Sequence, residues 1–129
     1  MSVIARKIID HAGLSDRVQV VFGTLGDGGK TLSYLETACG LSAGKLDFVF
    51  IDHAKDVYVS DLQLILQAGW LHRGSVVVAD NIKVPGAPEY HAYMKEQEGK
   101  LWNSKEHKSF LEYQSVITDI VLESDYLGD

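Results

Sequence analysis

Two uninterrupted apolar segments, separated by a helix-length segment, constrain the fold of this chain most strongly. The first lies in "KLDFVFID" at 45–52, and the second lies in "GSVVVADN" at 74–81. Both are apolar on successive residues, which is typical of strands covered on both faces inside a parallel sheet. Between them, "VYVSDLQLILQAGWL" places Leu62, Ile65 and Leu66 at helical spacing. We therefore predict a strand–helix–strand unit whose two strands are parallel.

The residues before this unit extend the alternation of helices and strands. "MSVIARKIIDHAGL" predicts an amphipathic helix that ends at Gly13, and "RVQVVFG" predicts a short buried strand that ends at Gly23. "KTLSYLETACG" predicts a second helix, which Gly40 ends. The glycine-rich "GDGG" at 26–29 lacks the strand context of a phosphate- or cofactor-binding turn, so we interpret it as a plain loop.

The residues after the unit predict a loop, a helix and a hairpin. "KVPGAPEY" contains two prolines and a glycine and is typical of a rigid loop, and "PEYHAYMKEQE" predicts a helix. Residues 106–113 and 117–125 lack a helical stripe and predict two strands of an antiparallel edge hairpin. The predicted fold class is therefore α/β, with a mostly parallel, doubly wound sheet that ends in this hairpin.

Length, charge and cysteine content limit the functional classes. A chain of 129 residues predicts one domain or part of one, and its formal net charge of −6 argues against a nucleic-acid partner. No stretch approaches the ~20 consecutive apolar residues of a membrane span. The single Cys39 excludes an internal disulfide and favours a reducing, cytoplasmic setting. Oligomeric state is left open.

Oxygen-bearing side chains follow both apolar strands. Asp52 ends the first strand, and Asp80 and Asn81 end the second. Ligands of open parallel sheets bind outside the carboxyl ends of the strands, so these three residues predict a shared site. Two carboxylates and an amide oxygen suit Mg²⁺ better than zinc. The alternative for each residue alone is a strand-end carboxylate that caps the next helix.

Two further residues of the first strand end are candidates. Lys55 follows Asp52 by three residues, and beside a divalent cation its pKa would fall, so that it could act as a general base. The alternative is a solvated surface lysine. His53 could orient a ligand or contact a cofactor, and a structural histidine is an equal alternative.

"LDFVFIDHAKDVY", "GSVVVADNIKVPGAPEY" and "KSFLEY" together resemble the catechol O-methyltransferase family, in order and in spacing. The resemblance runs from the first helix nearly to the C-terminus. It implies a partial Rossmann-like class I methyltransferase fold. It also implies Mg²⁺-dependent methyl transfer from S-adenosylmethionine to one hydroxyl of a small-molecule catechol.

The resemblance also assigns roles to individual residues. Asp52, Asp80 and Asn81 match the magnesium ligands, and Asn81 also lies beside the substrate. Lys55 matches the base that deprotonates the attacking hydroxyl. The remaining matched positions are Glu112, which would bond the other hydroxyl, Pro85 beside the aromatic ring, and His53, Asp52 and Gly23 beside the cofactor.

Part of the family pattern has no counterpart in this sequence. The Gly-rich turn after the family's first strand and the acidic residue after its second strand, which hold methionine and ribose, are both missing. Ala54 stands where the family has a tryptophan, and Leu25 and Gly26 stand where it has a Ser-Gln pair. We therefore expect residues 1–129 to be a single methyltransferase domain without its N-terminal strands.

Two alternatives stay open: a non-catalytic remnant with a metal- or phenol-binding pocket, and a methyltransferase for another vicinal-diol aromatic such as a caffeoyl ester.

The missing strands have a physical consequence. In this fold they would pair with "VQVVFG" on one side and "LDFVFI" on the other. Without them "VQVVFG" has no partner and "LDFVFI" exposes a long apolar edge, which favours aggregation. We therefore expect this chain alone to be unstable.

Overall fold

A computed structural model of the chain describes residues 2–111 and 114–128. They form two compact units, Met1–Gly40 and Leu41–Asp129. Within the described residues no helix is both long enough and apolar enough to cross a membrane.

The first unit contains two helices, α1 (Ser2–His11) and α2 (Lys30–Thr37). The Arg6 guanidinium of α1 donates to the Val20 carbonyl at 2.9 Å. The "GDGG" segment is a loop, as predicted. Its Asp27 carboxylate accepts bonds from the Thr31 hydroxyl at 2.6 Å and the Thr31 amide at 3.1 Å. These bonds lower the pKa of Asp27 and satisfy an amide at the start of α2.

The strand predicted for "RVQVVFG" is wrong. Residues 18–22 form no strand, and Phe22 is 87% exposed. A strand requires a neighbour to accept and donate its backbone hydrogen bonds. The described part of the first unit contains helices but no strand that could pair with this segment. The local apolar pattern is therefore present without the partner that would make it a strand.

The second unit is a four-stranded mixed sheet with two helices. Its strands and helices are β1 (Leu46–Ile51), α3 (Tyr58–Ala68), β2 (Leu71–Ala79), α4 (Pro88–Glu96), β3 (Trp102–Leu111) and β4 (Gln114–Tyr126). The strand order is β1-β2-β4-β3. β1 and β2 are parallel, whereas β4 is antiparallel to both β2 and β3.

This topology confirms the predicted strand–helix–strand unit and the C-terminal antiparallel hairpin. Two details differ. The hairpin contributes its second strand, β4, to the middle of the sheet, so of the two hairpin strands β3 alone lies at an edge. The sheet is also less parallel than predicted, because the segment at 17–23 adds no strand and β1–β2 is the parallel pair among the described strands.

The core of the second unit consists of aromatic and aliphatic side chains from both helices and the sheet. The α3 residues Tyr58 and Leu62 are fully buried, as are Tyr90 of α4 and Trp102 of β3. The rings of Tyr58 and Tyr90 meet edge to face, with centroids 5.6 Å apart. Burying a side chain such as Leu62 contributes about 1.5–3 kcal/mol. This packing fixes the start of α3 against the rest of the unit.

β1 forms the apolar edge that the sequence predicts. Among the described strands it pairs with β2 alone, so its other side has no strand neighbour. Phe48 and Phe50 are 55% and 56% exposed. An exposed apolar edge strand can pair with another chain and aggregate.

We expect Phe50→Lys to slow aggregation of the chain several-fold, because a charged side chain on an edge strand opposes pairing with a second copy. The free energy of unfolding should change by no more than about 0.5 kcal/mol, since the replaced ring is largely exposed. Light scattering during incubation measures the rate. Gln67→Lys, which adds the same charge on the exposed face of α3, is the matched control, and equal slowing by both variants would contradict the role of the edge.

Candidate functional site

The register of β1 and β2 places Asp52 beside Asp80. Ile51 pairs with Ala79 at the carboxyl end of the two strands. The Asp80 amide then donates to the Ile51 carbonyl at 3.0 Å. Each aspartate is the next residue after its strand, so both leave the sheet at the same edge. Their roles as metal ligands stay a prediction.

Lys55 is held between these two strand ends. A short 3₁₀ turn, Lys55–Val57, follows β1. It brings the Lys55 ammonium 3.0 Å from Asp52 Oδ1 and 2.7 Å from the Tyr58 hydroxyl. Tyr58 in turn donates its hydroxyl hydrogen to the Asp80 carbonyl at 3.1 Å. A continuous chain of hydrogen bonds therefore joins the end of β1, the start of α3 and the end of β2.

Sequence reasoning missed Tyr58. Its side chain is buried, and a buried hydroxyl requires a hydrogen-bond partner. The available signal was its position three residues after Lys55, within reach on a helical turn. The partner that matters most, Asp80, is 22 residues away in sequence and could not be identified from local spacing.

The electrostatics of this chain favour a protonated lysine. Burial disfavours the Lys55 ammonium, but the hydrogen bonds to Tyr58 and Asp52 outweigh it and raise the pKa of Lys55. Burial raises the pKa of Tyr58 as well. Asp52 is thus the carboxylate that stabilises the charge on Lys55 in this structure.

Asn81 begins an unusual turn after β2. Its backbone is left-handed, with φ 56° and ψ 41°, which among the described residues other than glycine is found only here. Asparagine tolerates this conformation better than most residues. The backbone amide of Asn81 donates to Asp80 Oδ1 at 2.7 Å, and a π-helical turn, Ile82–Gly86, follows.

A second residue that sequence reasoning missed lies against Asn81. The carboxylate of Asp119, on β4, is 2% exposed. Its Oδ2 accepts a hydrogen bond from Asn81 Nδ2 at 2.8 Å. No local pattern connects residues that are 38 positions apart. The connection exists because β4 inserts beside β2.

The other predicted residues have different surroundings. His53 Nε2 lies 2.6 Å from Asp61 Oδ2, and its ring centroid is 5.3 Å from that of Tyr58. Gly23 belongs to the first unit, where an added Cβ would collide with the Thr31 hydroxyl. Glu112 lies outside the described residues. Pro85 lies in the turn after Asn81, and its side chain is outside the described part.

The donor set at the strand ends suits a hard cation. Asp52, Asp80 and Asn81 provide two carboxylates and one amide oxygen, the ligand types that magnesium prefers. The Lys55 ammonium already supplies a positive charge at Asp52. Across residues 2–111 and 114–128, no group of three or more His, Cys, Asp and Glu side chains could hold a metal ion. This set has only two such residues, and its third donor is an amide.

Comparison with known proteins identifies the family. The family model described as "O-methyltransferase" matches residues 1–102, and the chain belongs to this family. It is 60% identical over 124 residues to the Mycobacterium tuberculosis protein named "Probable O-methyltransferase Rv1703c", covering 96% of this chain and 53% of that protein. It is 36% identical over 116 residues to catechol O-methyltransferase of Sus scrofa, covering 90% of this chain and 59% of that enzyme.

A solved structure supports the fold. The O-methyltransferase from Bacillus cereus, in complex with SAH, superposes with a TM-score of 0.71 at 19% identity. The match covers 97% of this chain and 57% of that one. The chain therefore has the fold of class I O-methyltransferases and spans about half the length of the proteins it matches.

We expect Tyr58→Phe to lower the pKa of Lys55, because the ammonium loses a hydrogen-bond acceptor that favours its charged form. NMR titration of the labelled lysine side chains measures this directly. Tyr93→Phe, on α4, removes a hydroxyl that is not among the groups shifting the pKa of Lys55, and it should leave the titration unchanged. An unchanged Lys55 pKa in Tyr58→Phe would contradict the proposed hydrogen-bond chain.

Proposed function

We propose that this chain carries the metal- and substrate-binding part of a protein that transfers a methyl group from S-adenosylmethionine to one hydroxyl of a catechol. The observation that supports it most is the hydrogen-bond chain from Asp52 through Lys55 and Tyr58 to Asp80. It joins two candidate ligands and one candidate base at adjacent strand ends. Similarity to catechol O-methyltransferases of several vertebrates supports the same substrate class.

Asp52, Asp80 and Asn81 would hold magnesium in this proposal. Magnesium takes about six oxygen ligands, so three protein donors leave positions for both oxygens of a catechol and for water. When bound, the ion would acidify the catechol hydroxyls and favour the ionised form. The protein's contribution is to hold the three donors on two rigid strand ends.

Lys55 would accept the proton from the attacking hydroxyl. In this structure Asp52 and Tyr58 keep the proton on the amine and raise its pKa. An Asp52 carboxylate engaged as a metal ligand would stabilise the ammonium less, so the pKa of Lys55 would fall towards the range of a general base. Tyr58 would still hold the Lys55 amine at the strand ends when Asp52 binds the metal instead of the ammonium.

Substrate and cofactor would be oriented by residues around this centre. Glu112 would accept a hydrogen bond from the second hydroxyl, and Pro85 would border the ring. His53, held by Asp61 at 2.6 Å, would lie beside the cofactor with Asp52. Because the sulfonium methyl is already electrophilic, alignment of donor and phenolate would account for much of the rate.

A second candidate function is binding without catalysis. It is favoured by Ala54, Leu25 and Gly26, which stand where the resembled family has a tryptophan and a Ser-Gln pair around the cofactor. A pocket for a metal or a phenol could persist in the second unit alone. Calorimetry with S-adenosylmethionine, with and without the N-terminal half of the domain supplied, separates the two functions. Binding when that half is supplied supports the methyltransferase, and no binding under either condition supports the non-catalytic function.

We expect Asp52→Asn to weaken binding of Mn²⁺, a spectroscopic substitute for magnesium, by at least about tenfold, because a charged ligand becomes a neutral one. Electron paramagnetic resonance of free Mn²⁺ measures the affinity. Asp56→Asn, an exposed carboxylate four residues away, controls for the change in net charge. Equal affinities in wild type and Asp52→Asn would refute the proposed ligand.

We expect Lys55→Ala, made in a protein that also carries the N-terminal strands of the domain, to reduce methyl transfer to a catechol by about 10²–10⁴, the usual contribution of a general base. Calorimetry should show that the affinity for S-adenosylmethionine is retained. Lys45→Ala, an exposed lysine just before β1, should behave as wild type in both assays. Wild-type turnover in Lys55→Ala would refute the base, and a wild-type protein that binds no S-adenosylmethionine would favour the non-catalytic function.

A further inference from the structure

We infer that Asp119 is a positioning residue that fixes the side-chain amide of Asn81 with its oxygen available to the cation. The inference rests on the proposed metal site and extends it to a residue outside the predicted ligand set. Asp119 is brought to the site by the sheet. β4 is antiparallel to β2, and Ala79 pairs with Leu122, so the residues after Ala79 meet the residues before Leu122.

The Asp119 carboxylate is held rigidly by backbone donors. Its Oδ1 accepts the Ile120 amide at 2.7 Å and the Lys83 amide at 3.0 Å. A carboxylate that is only 2% exposed needs such bonds, because burial of an unsatisfied charge is costly. With Oδ1 fixed on two amides, Oδ2 is directed at Asn81. The same bonds attach the turn that starts at Asn81 to β4.

This contact determines which way the side-chain amide of Asn81 faces. A carboxylate accepts hydrogen bonds and cannot donate them, and of the two amide atoms only the nitrogen donates. The atom of Asn81 that lies 2.8 Å from Asp119 Oδ2 must therefore be Nδ2. The amide oxygen occupies the other branch of the planar group and faces away from Asp119. Only this oxygen can serve as a magnesium ligand, since an amide nitrogen carries no available lone pair.

Buried partners that orient a ligand are known to affect metal affinity by 10–100-fold. Without Asp119, the Asn81 amide could rotate by half a turn and present its NH₂ group to the cation. The left-handed backbone of Asn81 and the hydrogen bond from its backbone amide to Asp80 fix the direction in which the side chain leaves the main chain. Asp119 fixes the orientation of the side-chain amide.

Asp119→Asn tests the inference because it reverses one hydrogen bond and leaves the shape nearly unchanged. The Lys83 and Ile120 amides would retain the oxygen of the new side chain, so its NH₂ group would face Asn81. Two NH₂ groups cannot bond to each other, and Asn81 must turn its oxygen towards position 119. We expect Mn²⁺ affinity to fall by about 10–100-fold.

The double variant Asn81→Asp, Asp119→Asn should recover the affinity to within a few-fold of wild type. It exchanges the two functional groups, so one carboxylate oxygen at position 81 accepts the new NH₂ group and the other faces the cation. Asn81→Asp alone would place a second carboxylate against that of Asp119, where the present contact measures 2.8 Å, and the two charges would repel each other. In the absence of metal, each single variant should melt below wild type, and the double variant should melt above both.

Asp125→Asn is the matched control, because it removes a carboxylate from the same strand outside this contact. It should bind Mn²⁺ as wild type does. Full Mn²⁺ affinity in Asp119→Asn, or a double variant that melts below both single variants, would overturn the inference. If Asp52→Asn still weakens Mn²⁺ binding in that case, the proposed metal site is retained. Absence of Mn²⁺ binding in wild type would overturn the metal site itself, together with the ligand role assigned to Asn81.

Discussion

The parallel pairing of β1 with β2 is the constraint on which the rest of the second unit depends. It brings Asp52 and Asp80, 28 positions apart in the chain (80 − 52 = 28), to neighbouring positions at one edge of the sheet. A parallel pair requires a crossover connection, and α3 provides it with a face of buried Tyr58 and Leu62. The helix that makes the parallel pair possible therefore also supplies the hydroxyl that joins the two strand ends.

Two hydrogen-bond systems stabilise this edge from opposite sides. On the β1 side, Lys55 and Tyr58 link Asp52 to the Asp80 backbone. On the β4 side, Asp119 holds the Asn81 amide and the turn that follows it. In both systems a buried polar group has its partners in other elements, so the site depends on the assembled sheet. Local sequence alone would not hold these side chains in place.

What the sequence could predict follows from the range of the interactions. β1, α3 and β2 were predicted because apolar runs and helical spacing are local features. The strand at 17–23 was predicted wrongly because a strand needs partners as well as apolar residues, and the described part of the first unit provides none. Tyr58 and Asp119 were missed because their decisive contacts span 22 and 38 positions. Asp52, Lys55, Asp80 and Asn81 were selected from strand ends and a family resemblance, and the sheet places their backbones together.

We propose that a hard divalent cation binds between the ends of β1 and β2. Crystals of the chain soaked in Mn²⁺, with diffraction data collected at the manganese absorption edge, test it most directly. We expect one anomalous peak within about 2.3 Å of oxygens from Asp52, Asp80 and Asn81. No peak at this edge of the sheet in an Mn²⁺-saturated crystal, or a peak coordinated by other residues alone, would contradict it.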